Sequence, residues 1–135
     1  MREIKFRGKS SSWHYGDLIH DSCNGHELIF IDNNTERTRH SVDKTTVGQF
    51  TGLKDAKDKE IYEGDILLYR LPESMIALNN TDKSVVFYGH GMFLVSHGKI
   101  EFSVNQVLGV HGDGAVVIGN VHDNPSLLEV ENERD

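Results

Sequence analysis

The histidines are the residues of this sequence most suited to chemistry, because imidazole is a common metal ligand and a general base near neutral pH. A metal site needs ligands that converge, but the sequence has no HExxH pattern and only one cysteine to join them. We therefore predict histidines in turns and on the surface, no bound metal and no cofactor. The eight positions are His14, His20, His26, His40, His90, His97, His111 and His122.

Glu63 and Asp65 are two carboxylates that could act as the general acid and base of a small hydrolase. No nucleophile or oxyanion-binding group lies near them in the sequence. The single cysteine, Cys23, has no Cys–His family signature around it. We therefore predict no catalytic residue and no enzymatic activity, with a small enzyme of unknown class as an alternative.

Lys5 and Arg7 lie on the polar face of the first predicted strand, and Lys9 continues that face beyond it. The three residues could contact an anion such as phosphate. Trp13 and Tyr15 follow, but no cation adjoins them in sequence, so they are interpreted as packing residues rather than a base-stacking platform. The net charge of −7 also opposes phosphate binding, since residues 51–135 hold seven Lys/Arg against fourteen Asp/Glu. A nucleic-acid-binding small barrel is therefore an alternative function.

Short apolar or alternating runs, separated by Gly, Asn and Asp, predict a mainly β fold. This spacing is typical of a small SH3-like barrel or a compact antiparallel β architecture with at most short helical turns. Residues 21–25 are predicted as a turn, residues 71–82 as a loop and residues 124–128 as a turn or one helical turn. The predicted strands cover residues 2–7, 13–19, 28–31, 37–42, 66–69, 83–88, 92–96, 100–104, 107–110 and 115–118.

Residues 51–69 form the central stretch of the sequence, TGLKDAKDKEIYEGDILLY. It predicts a turn at Thr51-Gly52, a solvated tip that includes Asp55, and a second turn in which Gly64 allows positive φ. The stretch joins an N-terminal β-rich part, residues 1–50, to a C-terminal barrel-like part, residues 51–128. Residues 129–135 are acidic and predicted to be a disordered tail.

The 135 residues are the usual length of one domain, and no apolar run approaches the ~18 residues that span a bilayer. The basic N-terminus has no apolar region behind it, so it is not a signal peptide. One isolated cysteine fits a reducing cytoplasm. We expect a cytoplasmic protein with no membrane association.

Four segments together resemble the YopX family of phage and prophage proteins. They are MREIKFRG (residues 1–8), QFTGLKDAKDKEIYEGDIL (residues 49–67), VVFYGHGMFLV (residues 85–95) and VVIGNVHDNPSLLE (residues 116–129). The chain departs from the family pattern at Tyr88 and His90, where acidic residues are usual, and at His122, where an aromatic residue is more common. The family-signature positions are interpreted as structural, because they belong to the predicted turns. They are Thr51, Gly52, Leu53, Tyr62, Glu63, Gly64 and Asp65.

The resemblance implies a β-rich protein of mobile phage genomes and carries over no activity and no catalytic residue. Together with the lack of a catalytic constellation, it favours a non-enzymatic binding or interaction protein acting in the cytoplasm of a bacterial host. Its partner is an unknown protein. Self-association is also open, because β-rich proteins have strand edges to cover.

Overall fold

Antiparallel strands dominate the protein, whose computed structural model describes residues 3–71 and 81–128. Contacts divide the chain into two units, with the division after Gly52. The helix α1 spans Val104–Leu108, and a 3₁₀ turn spans Pro125–Leu128. The strands are β1 Phe6–Lys9, β2 Trp13–Cys23, β3 His26–Asn33, β4 Thr38–Ser41, β5 Asp43–Lys54, β6 Glu60–Tyr62, β7 Asp65–Arg70, β8 Thr81–Val85, β9 Phe87–Gly89, β10 Met92–His97, β11 Ile100–Ser103 and β12 Ala115–Asn120.

The first unit is built on one sheet with the strand order β4-β3-β2-β1-β5. Only Val42 separates β4 from β5, and its backbone N–H donates to the carbonyl of Ile29 at 3.0 Å. The chain thereby passes from the β3 side of the sheet to the β1 side without a loop. Ile29, Ile31 and Val42 form a small buried core, against which Phe6, Leu18 and Val47 pack.

The β2–β3 hairpin closes through a two-residue turn, in which Asn24 and Gly25 have φ of 52° and 81°. Positive φ at both positions is the signature of the tight turn that Asn-Gly favours between antiparallel strands. The predicted turn over residues 21–25 is therefore too wide. Its first residues are strand, and β2 runs four residues beyond the predicted end at residue 19.

The second unit contains two three-stranded sheets, ordered β11-β10-β9 and β12-β7-β8. Its core is much larger than that of the first unit, so most of the buried core among the described residues lies here. Leu53, Leu71 and Val117 pack against this core as partly buried residues. The buried members are Ile61, Leu67, Tyr69, Val86, Phe93, Val95, Phe102, Val104, Val107, Leu108 and Ala115.

The predicted mainly β, antiparallel fold with short helical turns is confirmed. The described strands form separate sheets, and no closed barrel is found among them. The predicted hairpin after β9 is also confirmed, with His90 and Gly91 at positive φ between paired strands. So is the short helical turn, observed as Pro125–Leu128.

The predicted strand over residues 107–110 is wrong, because this segment contains the end of helix α1. The Ser103 hydroxyl accepts the backbone N–H of Gln106 at 3.0 Å and caps the helix, and Gly109 follows it at φ 76°. Val104, Val107 and Leu108 are buried, at the spacing of one helix face. The cap and the buried helix face thus stabilise a helix where the apolar run predicted a strand.

Other boundaries also differ from prediction. The first strand begins at Phe6 rather than residue 2, and Ile4, predicted to face the core, is 63% exposed. Thr51 and Gly52 lie inside β5 and form no turn, although Gly52 has φ 88°. Thr81 and Asp82, predicted as loop, begin β8. The remainder of that loop, residues 72–80, and the predicted tail lie outside the described residues. No helix of the described residues is long and apolar enough to cross a membrane.

Candidate binding surface

The turn between β6 and β7 carries the signature residues Glu63, Gly64 and Asp65. Gly64 has φ 92°; its N–H donates to the carbonyl of Val86, and its carbonyl accepts the N–H of Val121, both at 2.9 Å. The buried Asp65 carboxylate accepts the backbone N–H of Tyr62 at 2.8 Å. Asp65 thus binds the backbone of the residue that ends β6. This turn joins three segments of backbone in the second unit.

Asp55 begins the turn between β5 and β6 and is only 6% exposed, so the prediction that it belongs to a solvated tip is wrong. Its carboxylate accepts the backbone N–H groups of Lys57 at 2.8 Å, Lys59 at 2.9 Å and Val117 at 2.8 Å. Burial by itself raises the pKa of Asp55. These three hydrogen bonds and the Lys59 ammonium outweigh burial and hold the pKa below its usual value.

The other signature residues also occupy structural positions. Thr51 is buried within β5, and Leu53 packs against the core of the second unit. Tyr62 is buried, and its hydroxyl donates to the Glu60 carboxylate at 3.1 Å. Glu63 is half-buried in the turn. The geometry of these residues supports backbone and core roles.

The basic residues Lys5, Arg7 and Lys9 lie beside aromatic rings to which their sequence spacing did not connect them. Since β1 pairs with β2 in a register that sets Lys9 opposite Trp13, the Arg7 guanidinium lies 4.7 Å and the Lys9 ammonium 5.8 Å from the Trp13 ring centroid. Trp13 therefore has neighbouring cations in the fold although none adjoins it in sequence, and the reason given against a stacking platform is wrong. Lys5 lies 5.0 Å from the Phe50 ring centroid. Arg7 is only 5% exposed, so little of its guanidinium can reach an anion in solvent. The anion contact stays a prediction.

Several histidines of the described residues lie in pairs, either with another histidine or with a carboxylate. His14 and His40 stack, with ring centroids 3.7 Å apart and planes 10° from parallel. His20 lies 3.6 Å from the Glu27 carboxylate, and His90 lies 3.6 Å from that of Glu101. Within residues 3–71 and 81–128, no three His, Cys, Asp or Glu side chains converge as metal ligands.

A polar network in the second unit links β7, β8 and β10. His97 Nδ1 lies 2.6 Å from the Asp82 carboxylate, a contact that can orient a catalytic base. The Tyr69 hydroxyl donates to the carbonyl of Ser96 at 3.1 Å, and the Ser84 hydroxyl accepts the Ser96 N–H at 3.0 Å. Burial and the nearby Asp82 charge raise the pKa of Tyr69. Because both hydroxyls are engaged with backbone, this network is best explained as structural.

The outer half of the β2–β3 hairpin is exposed although it is fully paired. Residues 20–27, which we call the arm, are all exposed, while β2 and β3 remain in register up to the Cys23–His26 pair. An ordered hairpin without a covering layer presents both of its faces to solvent. The arm was not predicted from the sequence, because its strands are polar. The Asn24-Gly25 dipeptide was the signal that could have revealed it.

The inner face of the hairpin passes from the core to the arm. The register places Leu18 opposite Ile31, His20 opposite Ile29 and Ser22 opposite Glu27 on this face. A cavity of about 460 Å³ lies here, with an apolar floor continuous with the core of the first unit. Its rim holds Glu27 between His20 and Lys44, the latter at 3.4 Å. The lining residues are Leu18, His20, Glu27, Ile29, Lys44, Thr45 and Val47.

The outer face of the hairpin is acidic around partly buried apolar residues. Cross-strand partners on this face are Asp17 with Asp32, Ile19 with Phe30, and Asp21 with Leu28. The carboxylates of Asp17 and Asp32 are opposite each other, an arrangement that is repulsive between strands. The outer face thus differs from the inner face in both charge and shape.

Comparisons with known proteins identify relatives that cover most of the chain. The family model described as YopX protein matches residues 5–129. The crystal structure of protein EF1440 from Enterococcus faecalis is similar, with 28% sequence identity and a TM-score of 0.51. The match covers 96% of this chain and 100% of that one. A comparison with curated proteins found no match.

Proposed function

This chain belongs to the YopX protein family, and we propose that it is a non-enzymatic interaction protein that binds a protein partner through the arm. The observation that supports this proposal is the arm itself. It consists of eight consecutive exposed residues, six in paired strands and two in the tight turn between them, beside a cavity with an apolar floor. A preformed, exposed hairpin can bind with little further loss of conformational entropy.

The chemistry of the arm favours binding over catalysis. Glu27, the carboxylate on the cavity rim, lies between His20 and Lys44, and its charge is balanced there. The apolar floor of Leu18, Ile29 and Val47 offers contact area to an apolar side chain rather than a group that could polarise a substrate. A protein partner could therefore insert an apolar side chain within a polar rim, the usual anatomy of an interface.

We further propose that the protein is a phage or prophage accessory protein that acts in the bacterial cytoplasm. The resemblance to phage proteins supports the origin. An exposed, free Cys23 supports a reducing compartment, where such a thiol stays unpaired.

The test compares two charge reversals, each of an exposed strand carboxylate that lies 3.6 Å from a histidine. Glu27→Arg changes a strand carboxylate that lies 3.6 Å from His20 on the arm, and Glu101→Arg changes one that lies 3.6 Å from His90 in the second unit. Each immobilised protein is exposed to a lysate of the bacterial host, after circular dichroism has shown that it is folded. We expect a partner that wild type and Glu101→Arg retain and that Glu27→Arg loses. A partner retained equally by all three proteins would exclude the arm.

A further inference from the structure

We propose that the segment bound by the arm is an extended, basic strand of the partner protein, which adds to the free edge of β2. This inference rests on the proposed function and specifies its partner. Three features of the hairpin support it: an unpaired backbone edge, the direction of the backbone groups along that edge, and the acidic outer face.

The unpaired edge begins where β2 changes partners. β2 pairs with β1 only from Trp13 to Gly16, and with β3 from Asp17 to Cys23. Among the described residues, the side of β2 that faces away from β3 therefore has no strand partner over residues 17–23. Seven residues of strand extend about 23 Å at roughly 3.3 Å per residue, enough for a short peptide strand. Such an edge is a template for strand addition.

The backbone groups that point to this edge follow from the turn. Cys23 and His26 flank a two-residue turn and form a hydrogen-bonded pair. Because such pairs recur at every second residue of an antiparallel strand, Asp21, Ile19 and Asp17 also bond to β3. The backbone N–H and C=O groups of Leu18, His20 and Ser22 consequently point to the free edge. The Ser22 N–H already donates to the Asp21 carboxylate at 2.8 Å. Leu18 and His20 are thus the positions at which an added strand would form its ladder.

The outer face determines the charge of the added strand. Asp17 and Asp21 lie on the free-edge strand with Ile19 between them, and Asp32 lies opposite Asp17. An Asn34 side-chain amide reaches Asp17 at 2.6 Å but brings no charge to balance it. Arg39, opposite Asp32, lies over the Phe30 ring at 5.4 Å. A strand with Lys or Arg opposite both Asp17 and Asp21, and an apolar residue opposite Ile19, complements this face.

Charge also disfavours the other occupants of the edge. Symmetric pairing of two copies about Ile19 would place Asp17 opposite Asp21 twice, in a protein of net charge −7. A nucleic acid would bring phosphates against the same carboxylates. A basic protein segment is the occupant that removes this repulsion.

The test uses a fluorescent peptide, Thr-Lys-Thr-Val-Thr-Lys-Thr, and measures its binding to the full chain by anisotropy. In the proposed register, the two Lys residues lie opposite Asp17 and Asp21, and Val lies opposite Ile19. The amides of the two Thr residues beside Val then face the β2 edge, and the amides of Val and Lys face solvent. N-methylation of the two Thr amides should weaken binding at least about tenfold, and N-methylation of the Val and second Lys amides should not. The peptide with Glu in place of Lys should bind more weakly than the parent.

Protein variants test the charges. Asp21→Asn keeps an oxygen for the Ser22 N–H and should weaken binding of the Lys peptide by up to about fivefold, whereas the matched change Asp113→Asn, in an exposed loop of the second unit, should have no effect. The inference is overturned if the Lys peptide does not bind, or if the Glu peptide binds as tightly as the Lys peptide. It is also overturned if both N-methylated peptides lose the same affinity, or if Asp113→Asn weakens binding as much as Asp21→Asn does. Dimerisation through β2, detected by sedimentation, would overturn it as well. If the Lys peptide fails but Glu27→Arg still loses the captured partner, this inference alone is wrong.

Discussion

The Asp55 carboxylate accepts the backbone N–H of Val117 at 2.8 Å, across 62 residues of sequence. In the same place, the backbone N–H of Ala56 donates to the carbonyl of Ala115 at 3.0 Å. The turn after β5 is thereby attached to β12. The sequence pattern of charged residues in this turn suggests a solvated tip, but one of its carboxylates is a buried attachment point.

We expect Asp55→Asn to destabilise the protein by about 1–3 kcal/mol. The carboxylate accepts from the turn with one oxygen and from Val117 with the other, and an amide has only one oxygen. Its NH₂ group would then face a backbone N–H, of Val117 or of the turn. The matched variant is Asp58→Asn, in the same turn. The Asp58 side chain is 85% exposed, φ is 67°, and Asn tolerates that conformation. It should change the free energy of unfolding by less than about 0.5 kcal/mol. Urea unfolding at pH 7 measures both, and equal values would contradict the attachment role.

The same carboxylate makes stability depend on acid. Because the pKa of Asp55 is lowered in the folded protein, its contribution is complete above the unfolded value of 3.8 and is lost as pH falls through the folded pKa. Wild type should therefore lose more unfolding free energy between pH 5 and pH 2 than Asp55→Asn does. Urea unfolding across this range tests the difference, and parallel pH profiles of the two proteins would show that Asp55 does not contribute.

Local features of the fold were predictable where a few adjacent residues specify the geometry. His90-Gly91 specifies a tight turn by itself, and Pro125 begins a helical turn because its φ is fixed. The strand β7 could be predicted because a continuous apolar run follows the Gly64 turn.

Features that depend on distant contacts could not be predicted in this way. Nothing local to Asp55 points to Val117, and the exposed strands of the arm have the polar composition of a turn. Trp13 receives its cations from β1 only through strand pairing. The binding surface was missed for the same reason, because its acidic face and free edge arise from the register of β2 against β1 and β3.

The stacked pair of His14 and His40 predicts a second acid dependence, in the first unit. Burial lowers the pKa of His14, the nearby His40 lowers it further, and Glu36 opposes them. The Ser10 hydroxyl, in the turn between β1 and β2, lies 3.0 Å from His14 Nε2 and brings no charge to it. A lowered folded pKa means that stability is complete above the unfolded value of 6.5 and is lost as pH falls through the folded pKa.

We therefore expect the ring proton resonances of His14 to titrate below pH 6.5 in NMR spectra. His14→Phe keeps an aromatic ring for His40 and removes the titrating group, so its unfolding free energy should fall less than that of wild type between pH 7.5 and pH 5. The control is His111→Gln, at an exposed position, which should keep the pH profile of wild type. If His14→Phe also follows the wild-type profile, the stack has no part in the acid response.

Gly16 marks where β2 changes partners, because it is the last residue of β2 that pairs with β1, and Asp17 is the first that pairs with β3. A Cβ atom at this position would lie 2.1 Å from the carbonyl oxygen of Asp32, and φ is 154°. Neither backbone can move away without breaking the register that β2 makes with β3. Gly16→Ala should therefore cost roughly 3 kcal/mol of unfolding free energy, through overpacking and backbone strain.

Gly25, at the tip of the arm, supplies the control. A Cβ atom there meets nothing within 4 Å, and Asn tolerates its φ of 81°, so Gly25→Asn should cost about 1 kcal/mol or less. Urea unfolding compares the two variants, and amide hydrogen exchange locates the change. Gly16→Ala should lose protection first in the arm amides that bond to β3, because the displaced carbonyl is at the start of that pairing. If these amides remain protected and stability is unchanged, the close approach of Gly16 to Asp32 does not hold the base of the arm.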